Sequence, residues 1–428
     1  MHETPKTLLC RLWQASIAFA ALALIGCASA PMAVPDPPAP RAARVLPTPE
    51  DAATLPAGLA RWVAEFSETA RAAGIDEATL HAAFDDLRYL PRVVELDRAQ
   101  PEFTRTVWDY LDSAVSPQRV VLGQGQWLAF RGDAEAAAAR YRVPPAVLVA
   151  IWGIESNYGR NVGNTSTIDA LATLGFEGRR EVWARGQLLA ALRILQSGDI
   201  DRARMIGSWA GAMGQTQFLP STFLAYAVDA DGDGRRDIWG SMADVMASTA
   251  HFLSRSGWQA DQAWGVEVLL PPDFDLTRAD PEVRQSTERW AAVGLRAVDG
   301  TALPELPDSS VLLPAGARGP AFVVGPNFRV ILRYNNSTSY ALAVGLLALR
   351  LAGGPGVQGP WPRDLRALSR SELLALQTAL NQGGFASGAP DGMMGPATRG
   401  AVRRYQLSIG LAADGFPTAA LLDRLRLP

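Results

Sequence analysis

The chain has 428 residues, which is enough for two or three domains. Hydrophobic residues make up 48% and charged residues 19%, so the composition supports buried cores and excludes a chain that is disordered throughout. The net charge of −3 argues against a nucleic-acid-binding protein, and three histidines leave little for a zinc site or a Ser-His-Asp triad. Any catalytic chemistry in this chain must therefore rest on carboxylates.

The N-terminus has the pattern of an export signal peptide over residues 1–27. Lys6 and Arg11 provide a charged start, and residues 17–25 form an apolar segment. That segment is too short to span a bilayer and has the length of the hydrophobic region of a signal peptide.

The signal ends in Leu-Ile-Gly-Cys at residues 24–27, which resembles the lipobox of bacterial lipoproteins. In lipoproteins such a cysteine is lipidated and becomes the mature N-terminus, so we expect a lipid anchor on Cys27. The residue after the cysteine is Ala28, not aspartate. In lipoproteins this resembles the pattern for sorting to the outer membrane, so we expect the protein at the periplasmic face of the outer membrane in a Gram-negative envelope. The alternative is an ordinary secretory signal that is cleaved near Ala28 or Ala30.

The remaining chain divides by composition. A tether rich in proline is followed by a long helical pattern, in which apolar residues recur every three or four positions. Short β-type segments at 266–270, 310–313, 321–324 and 328–332 interrupt it, and a Pro/Gly linker precedes a final domain. The predicted regions are the tether 28–56, a helical subdomain 57–140, a core 141–260, a β-rich insert 261–334, a core helix 335–352, the linker 353–364 and a C-terminal domain 365–428.

One glutamate stands in a strongly apolar helical segment. Two prolines open the segment, and Leu148, Ile151 and Trp152 share a helix face with Glu155. Burial on such a face raises the pKa of a carboxyl group, as a general acid that acts near neutral pH requires. The alternative is a partly exposed glutamate at a helix C-terminus.

Three separated motifs favour the catalytic interpretation. Ile-Glu-Ser-Asn-Tyr-Gly at 154–159 is similar to the catalytic motif of lysozyme-like lytic transglycosylases, and residues 207–221 are similar to their substrate-groove motif. Arg-Tyr-Asn-Asn-Ser-Thr-Ser-Tyr at 333–340 resembles their later Tyr-Asn segment. In order and spacing, these motifs resemble the membrane-bound lytic murein transglycosylase B family over about residues 57–352. The resemblance implies a mainly α fold with a lysozyme-like catalytic core.

The resemblance also implies roles for individual residues. Glu155 would be the sole acid and base, and the substrate would be the β-1,4 bond between N-acetylmuramic acid and N-acetylglucosamine in peptidoglycan. Ordinary glycosidases use two carboxylates, whereas the groove motif contains none. With Glu155 alone, the C6 hydroxyl of the muramic sugar would close onto C1, and the product would be a 1,6-anhydromuramic end. The residues that would contact the sugar are Ser208, Met213, Gln217, Phe218, Tyr334, Asn335 and Tyr340.

An acidic loop, defined here as residues 229–244, has the first half of an EF-hand pattern. Acids occupy positions 1, 3, 5 and 9 and glycine occupies position 6, but position 12 is Gly240 instead of glutamate. Asp244 could close a longer loop of the kind seen in the resembled family. We expect a structural Ca²⁺ held by Asp229, Asp231, Asp233, Arg235, Asp237 and Asp244. The alternative is a set of Asx turns tied by arginines.

The C-terminal domain, 365–428, is similar to the small three-helix peptidoglycan-binding domain, with helices joined by Asp-Gly turns. A generic three-helix bundle is the alternative. We therefore expect peptidoglycan strands as the partner, no nucleic acid, no organic cofactor, and contacts with cell-wall enzymes that the sequence does not identify. Two other functions stay open: a lysozyme-type hydrolase of the same bond, and a non-catalytic wall-binding scaffold.

Overall fold

The computed structural model describes residues 56–99 and 105–426, and this part of the chain is mainly α-helical. Seventeen α-helices and six short strands lie within it. The predicted signal peptide 1–27, including Cys27, lies outside the described residues, as does the predicted tether 28–56 apart from Pro56. None of the described helices has both the length and the apolar character needed to cross a membrane.

Six helices form the N-terminal part of the described chain. Side-chain oxygens cap several of them: Asp76, Thr106 and Ser116 each accept a backbone N–H from the first turn of the helix that follows. Pro117 occupies a first-turn position, where its missing N–H costs no helical hydrogen bond. These helices are α1 Leu59–Ala72, α2 Glu77–Phe84, α3 Pro91–Arg98, α4 Val107–Ala114, α5 Pro117–Ala129 and α6 Arg131–Tyr141.

The core follows, with α7 at its centre. Every residue from Ala146 to Gly153 is buried, because α7 has neighbouring helices on all sides. The elements are α7 Pro145–Ser156, β1 Thr165–Ser166, α8 Thr167–Phe176, α9 Glu181–Gln196, β2 Ile206–Gly207, α10 Pro220–Tyr226 and α11 Met242–Arg255. The two strands pair antiparallel, and α7 packs against α5, α6 and α11.

The insert is a four-stranded antiparallel sheet with a separate hydrophobic core. The strand order is β4-β3-β6-β5, and the indole of Trp290 is fully buried in the core beside the sheet. Its elements are β3 Gly265–Leu269, α12 Thr287–Ala292, β4 Arg296–Ala297, β5 Ser310–Leu312 and β6 Ala321–Val324. Three of the four β-type segments seen in the sequence form these strands.

The fourth β-type segment, 328–332, is helical, so that prediction is wrong. It lies within α13, which spans Pro326–Tyr334. Proline at the first helical position favours a helix, and Phe328 and Ile331 are buried on one face with helical spacing. A short apolar segment fits the strand and helix periods equally, which is why its sequence was ambiguous.

Helix α14, Thr338–Leu351, packs against α7, and the linker that follows it is held to α4 and to the insert. The guanidinium of Arg363 donates to both carboxylate oxygens of Asp112, at 2.8 and 3.0 Å. The backbone N–H of Gly359 donates to the Glu267 carboxylate at 2.7 Å. The linker is therefore a docked segment that fixes the start of the last domain.

The C-terminal domain is a three-helix unit with its own apolar core. Ser369 and Glu372 form a capping box at its first helix, so two otherwise unpaired backbone N–H groups are satisfied. Leu376, Leu380 and Val402 are fully buried between the helices. The helices are α15 Arg370–Gln382, α16 Pro396–Ser408 and α17 Ala419–Arg426.

Candidate active site

Glu155 lies in the last turn of α7, where the backbone reverses sharply. The chain leaves the helix through Asn157, Tyr158 and Gly159, which have φ values of 50°, 59° and 76°. The Tyr158 ring lies directly on Gly153, where a Cβ atom would be 2.6 Å from the ring. A glycine at 153 is therefore needed for this turn to pack, and the turn fixes the position of Glu155.

The Glu155 carboxyl group is partly buried and has one hydrogen-bond partner among the described residues. The hydroxyl of Tyr340 donates to Oε1 of Glu155 at 2.5 Å. Burial raises the pKa of Glu155 to about 7, and the smaller opposing effect is the Tyr340 hydrogen bond, which lowers it. No carboxylate of the described chain contributes to this pKa, so the proton on Glu155 is not shared with a second acid.

Two tyrosines connect the three sequence motifs around Glu155. The rings of Tyr334 and Tyr340 are stacked, with centroids 6.4 Å apart. The hydroxyl of Tyr334 donates to the carbonyl oxygen of Thr216 at 2.6 Å, which joins the Tyr-Asn segment to the groove motif. Burial raises the pKa of both tyrosines well above the ordinary value, and the nearby Glu155 charge adds to that effect. Both hydroxyls are therefore neutral donors across the physiological pH range.

The groove motif, residues 207–221, forms a tight loop beside this cluster. The N–H of Ser208 donates to the carbonyl of Ala212 at 2.7 Å, and the Ser208 hydroxyl accepts the N–H of Ala212 at 3.1 Å. A Cβ at Gly207 would lie 2.0 Å from that carbonyl oxygen. Glycine is therefore required at position 207, because the loop packs closely against itself.

Gln217 stabilises the same loop from the other side. Its φ of 52° is unusual for a residue with a side chain, and its amide donates to the carbonyls of Val162 and Gly214 at 3.1 and 2.8 Å. Part of the Gln217 side chain stays exposed. Of the residues expected to contact the sugar, those with accessible surface are Ser208, Gln217, Tyr334 and Asn335.

Three other residues that we expected to contact the sugar are buried. Met213 is 0% exposed and Phe218 is 2% exposed, and both pack inside the main hydrophobic core. Tyr340 is 3% exposed, and its hydroxyl is occupied by Glu155. The structure therefore places Met213 and Phe218 beneath the groove and Tyr340 behind the carboxyl group.

The acidic loop brings together three of the six predicted metal ligands. Carboxylate oxygens of Asp229, Asp231 and Asp244 lie within 4.8 Å of one another. Asp244 is fully buried, and its burial raises its pKa to about 6, although it accepts backbone N–H groups from Ala230 and Asp237 at 2.7 and 2.6 Å. Crowded carboxylates with a buried member fit a hard cation that prefers oxygen ligands.

Acids of this loop also accept backbone N–H groups, and this includes members of the cluster: Asp229 accepts those of Gly232 and Gly234 at 2.7 and 2.9 Å. Asp233 accepts the backbone N–H of Arg235 at 2.8 Å, and Asp237 accepts the N–H groups of Trp239 and Gly240 at 2.9 and 2.8 Å. These are the Asx-type contacts of the alternative interpretation. Among the described residues, the side chains of Asp233 and Asp237 do not belong to the group of carboxylates within 4.8 Å of one another.

Residues 58–349 match the family described as a transglycosylase SLT domain, which is well over half of the chain. The chain belongs to this family. Residues 369–425 match a peptidoglycan-binding domain. Membrane-bound lytic murein transglycosylase B of Escherichia coli is 35% identical over 255 residues, which are 57% of this chain and 66% of that protein. The chain thus spans just under two thirds of the length of that curated relative.

Solved structures of transglycosylases agree with the fold. SltB3 from Pseudomonas aeruginosa, in complex with NAG-anhNAM-pentapeptide, is 51% identical with a TM-score of 0.84, covering 86% of this chain and 99% of that chain. Escherichia coli Slt35 in complex with calcium is 31% identical with a TM-score of 0.57, covering 69% of this chain and 92% of that chain. The predictions of the family and of a mainly α fold with a lysozyme-like core are confirmed.

Two residues of this chain support the site through contacts that the sequence did not predict. Gln215 is buried and accepts the indole N–H of Trp152 at 2.7 Å, while its amide donates to the carbonyl of Trp239 at 2.9 Å. It therefore ties α7 to the acidic loop. The second is Tyr340, because its partner Glu155 is 185 residues away in the chain and only the fold brings them together.

Proposed function

We propose that this protein is a lytic transglycosylase that cleaves the β-1,4 bond between N-acetylmuramic acid and N-acetylglucosamine in peptidoglycan and leaves 1,6-anhydromuramic ends. The observation that carries the proposal is Glu155: a single desolvated carboxyl group with a pKa of about 7 and no second carboxylate partner among the described residues. Family membership supports the substrate class.

One carboxyl group performs two proton transfers in this mechanism. Protonated Glu155 donates its proton to the glycosidic oxygen as the C1–O bond breaks, and the N-acetyl oxygen of the muramic sugar stabilises C1. Glu155, now a carboxylate, accepts the proton of the C6 hydroxyl, whose oxygen bonds to C1. The proton balance closes and no water is consumed. A pKa near 7 suits a group that must both donate and accept.

Tyr340 acts as a positioning residue in this mechanism, since its hydroxyl holds Oε1 of Glu155 from the core side. The second oxygen of the carboxyl group is left for the substrate. Exposed or partly exposed polar groups beside it are proposed to bind the sugar, namely Ser208, Gln217, Tyr334 and Asn335.

Product analysis tests the proposal. Purified protein is incubated with peptidoglycan, and the soluble fragments are identified by mass spectrometry. We expect anhydro ends from the wild type and no fragments from Glu155→Gln. Reducing ends would indicate the hydrolase, and wall binding without fragments from the wild type would indicate the non-catalytic scaffold.

We further propose that Ca²⁺ occupies the acidic loop through Asp229, Asp231 and Asp244. Support comes from the crowding of these carboxylates and from the calcium complex of the Slt35 relative. Binding to the folded state raises stability as occupancy rises above the dissociation constant. Calcium should therefore raise the melting temperature, and Asp231→Ala should abolish that gain. An unchanged melting curve at millimolar calcium would contradict the proposal.

Finally, we propose that Cys27 carries a lipid that anchors the protein at the periplasmic face of the outer membrane. The support is the lipobox-like sequence at 24–27, together with the membrane-bound Escherichia coli relative. Firm attachment requires more than one acyl chain, as on a lipoprotein cysteine. Cys27→Ser should release soluble protein that stays active on isolated wall, and its retention in the membrane fraction would refute the anchor.

A further inference from the structure

A pocket of about 420 Å³ lies where the core, the β-rich insert and the C-terminal domain meet. We call it the interdomain pocket. Its walls come from the start of α4, from the loop that precedes α14, and from α16 with the loop that follows it. The polar residues on which the argument depends are Arg105, Asn336, Ser339, Arg399 and Arg403.

Contacts across the domains build this pocket. Arg403 of α16 is only 8% exposed, and its guanidinium donates to the Asp280 carboxylate and to the carbonyl of Ala279 in the insert. From the loop after α16, Asp414 accepts the backbone N–H of Ala317 at 2.8 Å. With the linker also docked on α4 and the insert, the C-terminal domain supplies a fixed wall for a ligand.

Arg399 is the cation of this pocket that has no acceptor. It lies one helical turn before Arg403, and a Cβ at Gly415 would be 2.8 Å from its Cγ, so the loop holds its aliphatic part in place. Its guanidinium has no hydrogen bond to any described residue, and burial with the nearby Arg403 charge lowers its pKa, while Asp280 raises it. A mostly buried guanidinium in this state favours an anionic ligand.

The other charges of the pocket are already compensated or add to the positive side. Arg105 donates to the carbonyl of Asp109 at 2.7 Å and to Ser113 at 3.1 Å, and neither partner neutralises its charge. Asp414 is the lining carboxylate, and it also accepts from the Gln406 amide at 2.7 Å and from the N–H of Phe416 at 2.9 Å. The unsatisfied charge in the pocket is therefore positive.

One wall of the pocket belongs to the same chain segment as two residues of the candidate active site. Asn336 and Ser339 line it, and they lie between Asn335, proposed to bind the sugar, and Tyr340, which holds Glu155. The segment 336–339 therefore joins the candidate active site to the pocket that contains the arginines. In peptide-bearing strands the lactyl carboxyl group of muramic acid is amide-bonded to the peptide stem, so the carboxylates of the strand lie on the stem.

We infer that the interdomain pocket binds a carboxylate of the peptide stem, with Arg399 as its principal charged contact. This inference rests on the proposed function, because the stem enters the pocket as part of the glycan substrate. It assigns to the C-terminal domain a direct part in choosing peptide-bearing strands, in addition to attachment to the wall.

The test compares kcat/KM on peptide-bearing glycan strands with kcat/KM on strands from which an amidase has removed the peptides, so that the only carboxylate left is the lactyl group at the sugar ring. A charge-assisted hydrogen bond lost to Arg399→Gln should lower the ratio of these two values by about tenfold. Arg399→Lys, which keeps the charge, should retain most of the ratio. Arg424→Gln is the matched control, since it removes the same charge from an exposed position of the same domain, and its ratio should not change.

Equal losses of Arg399→Gln on both substrates would indicate a purely structural role and overturn the inference, as would an unchanged ratio. If the wild type cleaved neither substrate, the proposed function itself would fail. A second measurement does not need a variant: the free pentapeptide stem, added to the wild-type protein, should shift the NMR signals of Arg399 and its neighbours. Shifts confined to other surfaces, or no shifts at millimolar peptide, would also overturn the inference.

Discussion

Two carboxyl groups of this protein, one partly buried and one fully buried, have pKa values far above the ordinary range, and their surroundings differ in kind. Glu155, with a pKa of about 7, has a tyrosine hydroxyl as its partner and aromatic rings around it. Asp244, with a pKa of about 6, accepts two backbone N–H groups and lies beside two further aspartates. Burial raises both values, but the neighbours distinguish the proposed proton donor from a member of the proposed cation site.

The largest expected effect is on turnover. Glu155→Gln keeps the shape of the side chain but can neither donate nor accept the catalytic proton. General acid–base catalysis contributes about 10²–10⁴-fold, and the loss should reach at least the upper end because one group serves both steps. Initial rates on isolated peptidoglycan measure it. Glu135→Gln, on the exposed side of α6, is the matched control and should retain wild-type turnover.

The next largest effect tests whether Tyr340 positions Glu155. Tyr340→Phe removes the hydrogen bond that lowers the Glu155 pKa, so this pKa should rise further. The reaction begins with protonated Glu155, and the wild-type rate should therefore fall as the pH rises above about 7. In the variant this falling limb should move to higher pH, and kcat should decrease by about tenfold because Glu155 is less well oriented. A falling limb that stays in place would contradict the role given to Tyr340.

The third effect concerns the stability of the folded protein and its dependence on the protonation of Asp244. Its folded pKa of about 6 exceeds its ordinary value of 3.8, so its contribution to stability is fully present below about pH 3.8. Without calcium, that contribution is lost as the pH rises through about 6. Asp244→Asn should remove this loss and should also remove the stabilisation by calcium, about 2.7 kcal/mol at a hundredfold excess over Kd. Melting curves from pH 4 to 8, with and without calcium, measure both effects.

The control for Asp244 is Asp273→Asn, which changes an exposed acid outside the acidic loop and should leave both effects intact. Stabilisation of Asp244→Asn by calcium equal to that of the wild type would show that the ion binds elsewhere.

The smallest expected effect is the loss of stability caused by the proposed catalytic acid, Glu155. The pKa of Glu155 is raised from 4.5 to about 7 in the folded protein, so wild-type stability should fall between pH 4.5 and 7 and then level off. Glu155→Gln has no such loss, and it should be more stable by about 1–3 kcal/mol at pH 8 and no more stable at pH 4. Urea unfolding at the two pH values measures the difference. Calcium should not alter it, in contrast with Asp244.

The helical class could be predicted from local periodicity, and Glu155 could be selected as the candidate acid from a short motif. The sequence could not show that Tyr340 holds Glu155 or that Gln215 accepts from Trp152, since these pairs are distant in the chain. The error at 328–332 arose where strand and helix patterns coincide. The burial of Met213 and Phe218 is likewise a property of packing that a motif does not reveal.

The claim that one carboxyl group carries out both proton transfers without water has a direct test. Peptidoglycan is digested with the wild-type protein in water enriched in oxygen-18, and the muramic ends are analysed by mass spectrometry. The mechanism predicts 1,6-anhydromuramic ends that contain no oxygen-18, because the C6 oxygen of the same sugar attacks C1. Reducing ends labelled with oxygen-18 would contradict it and would identify the enzyme as a hydrolase.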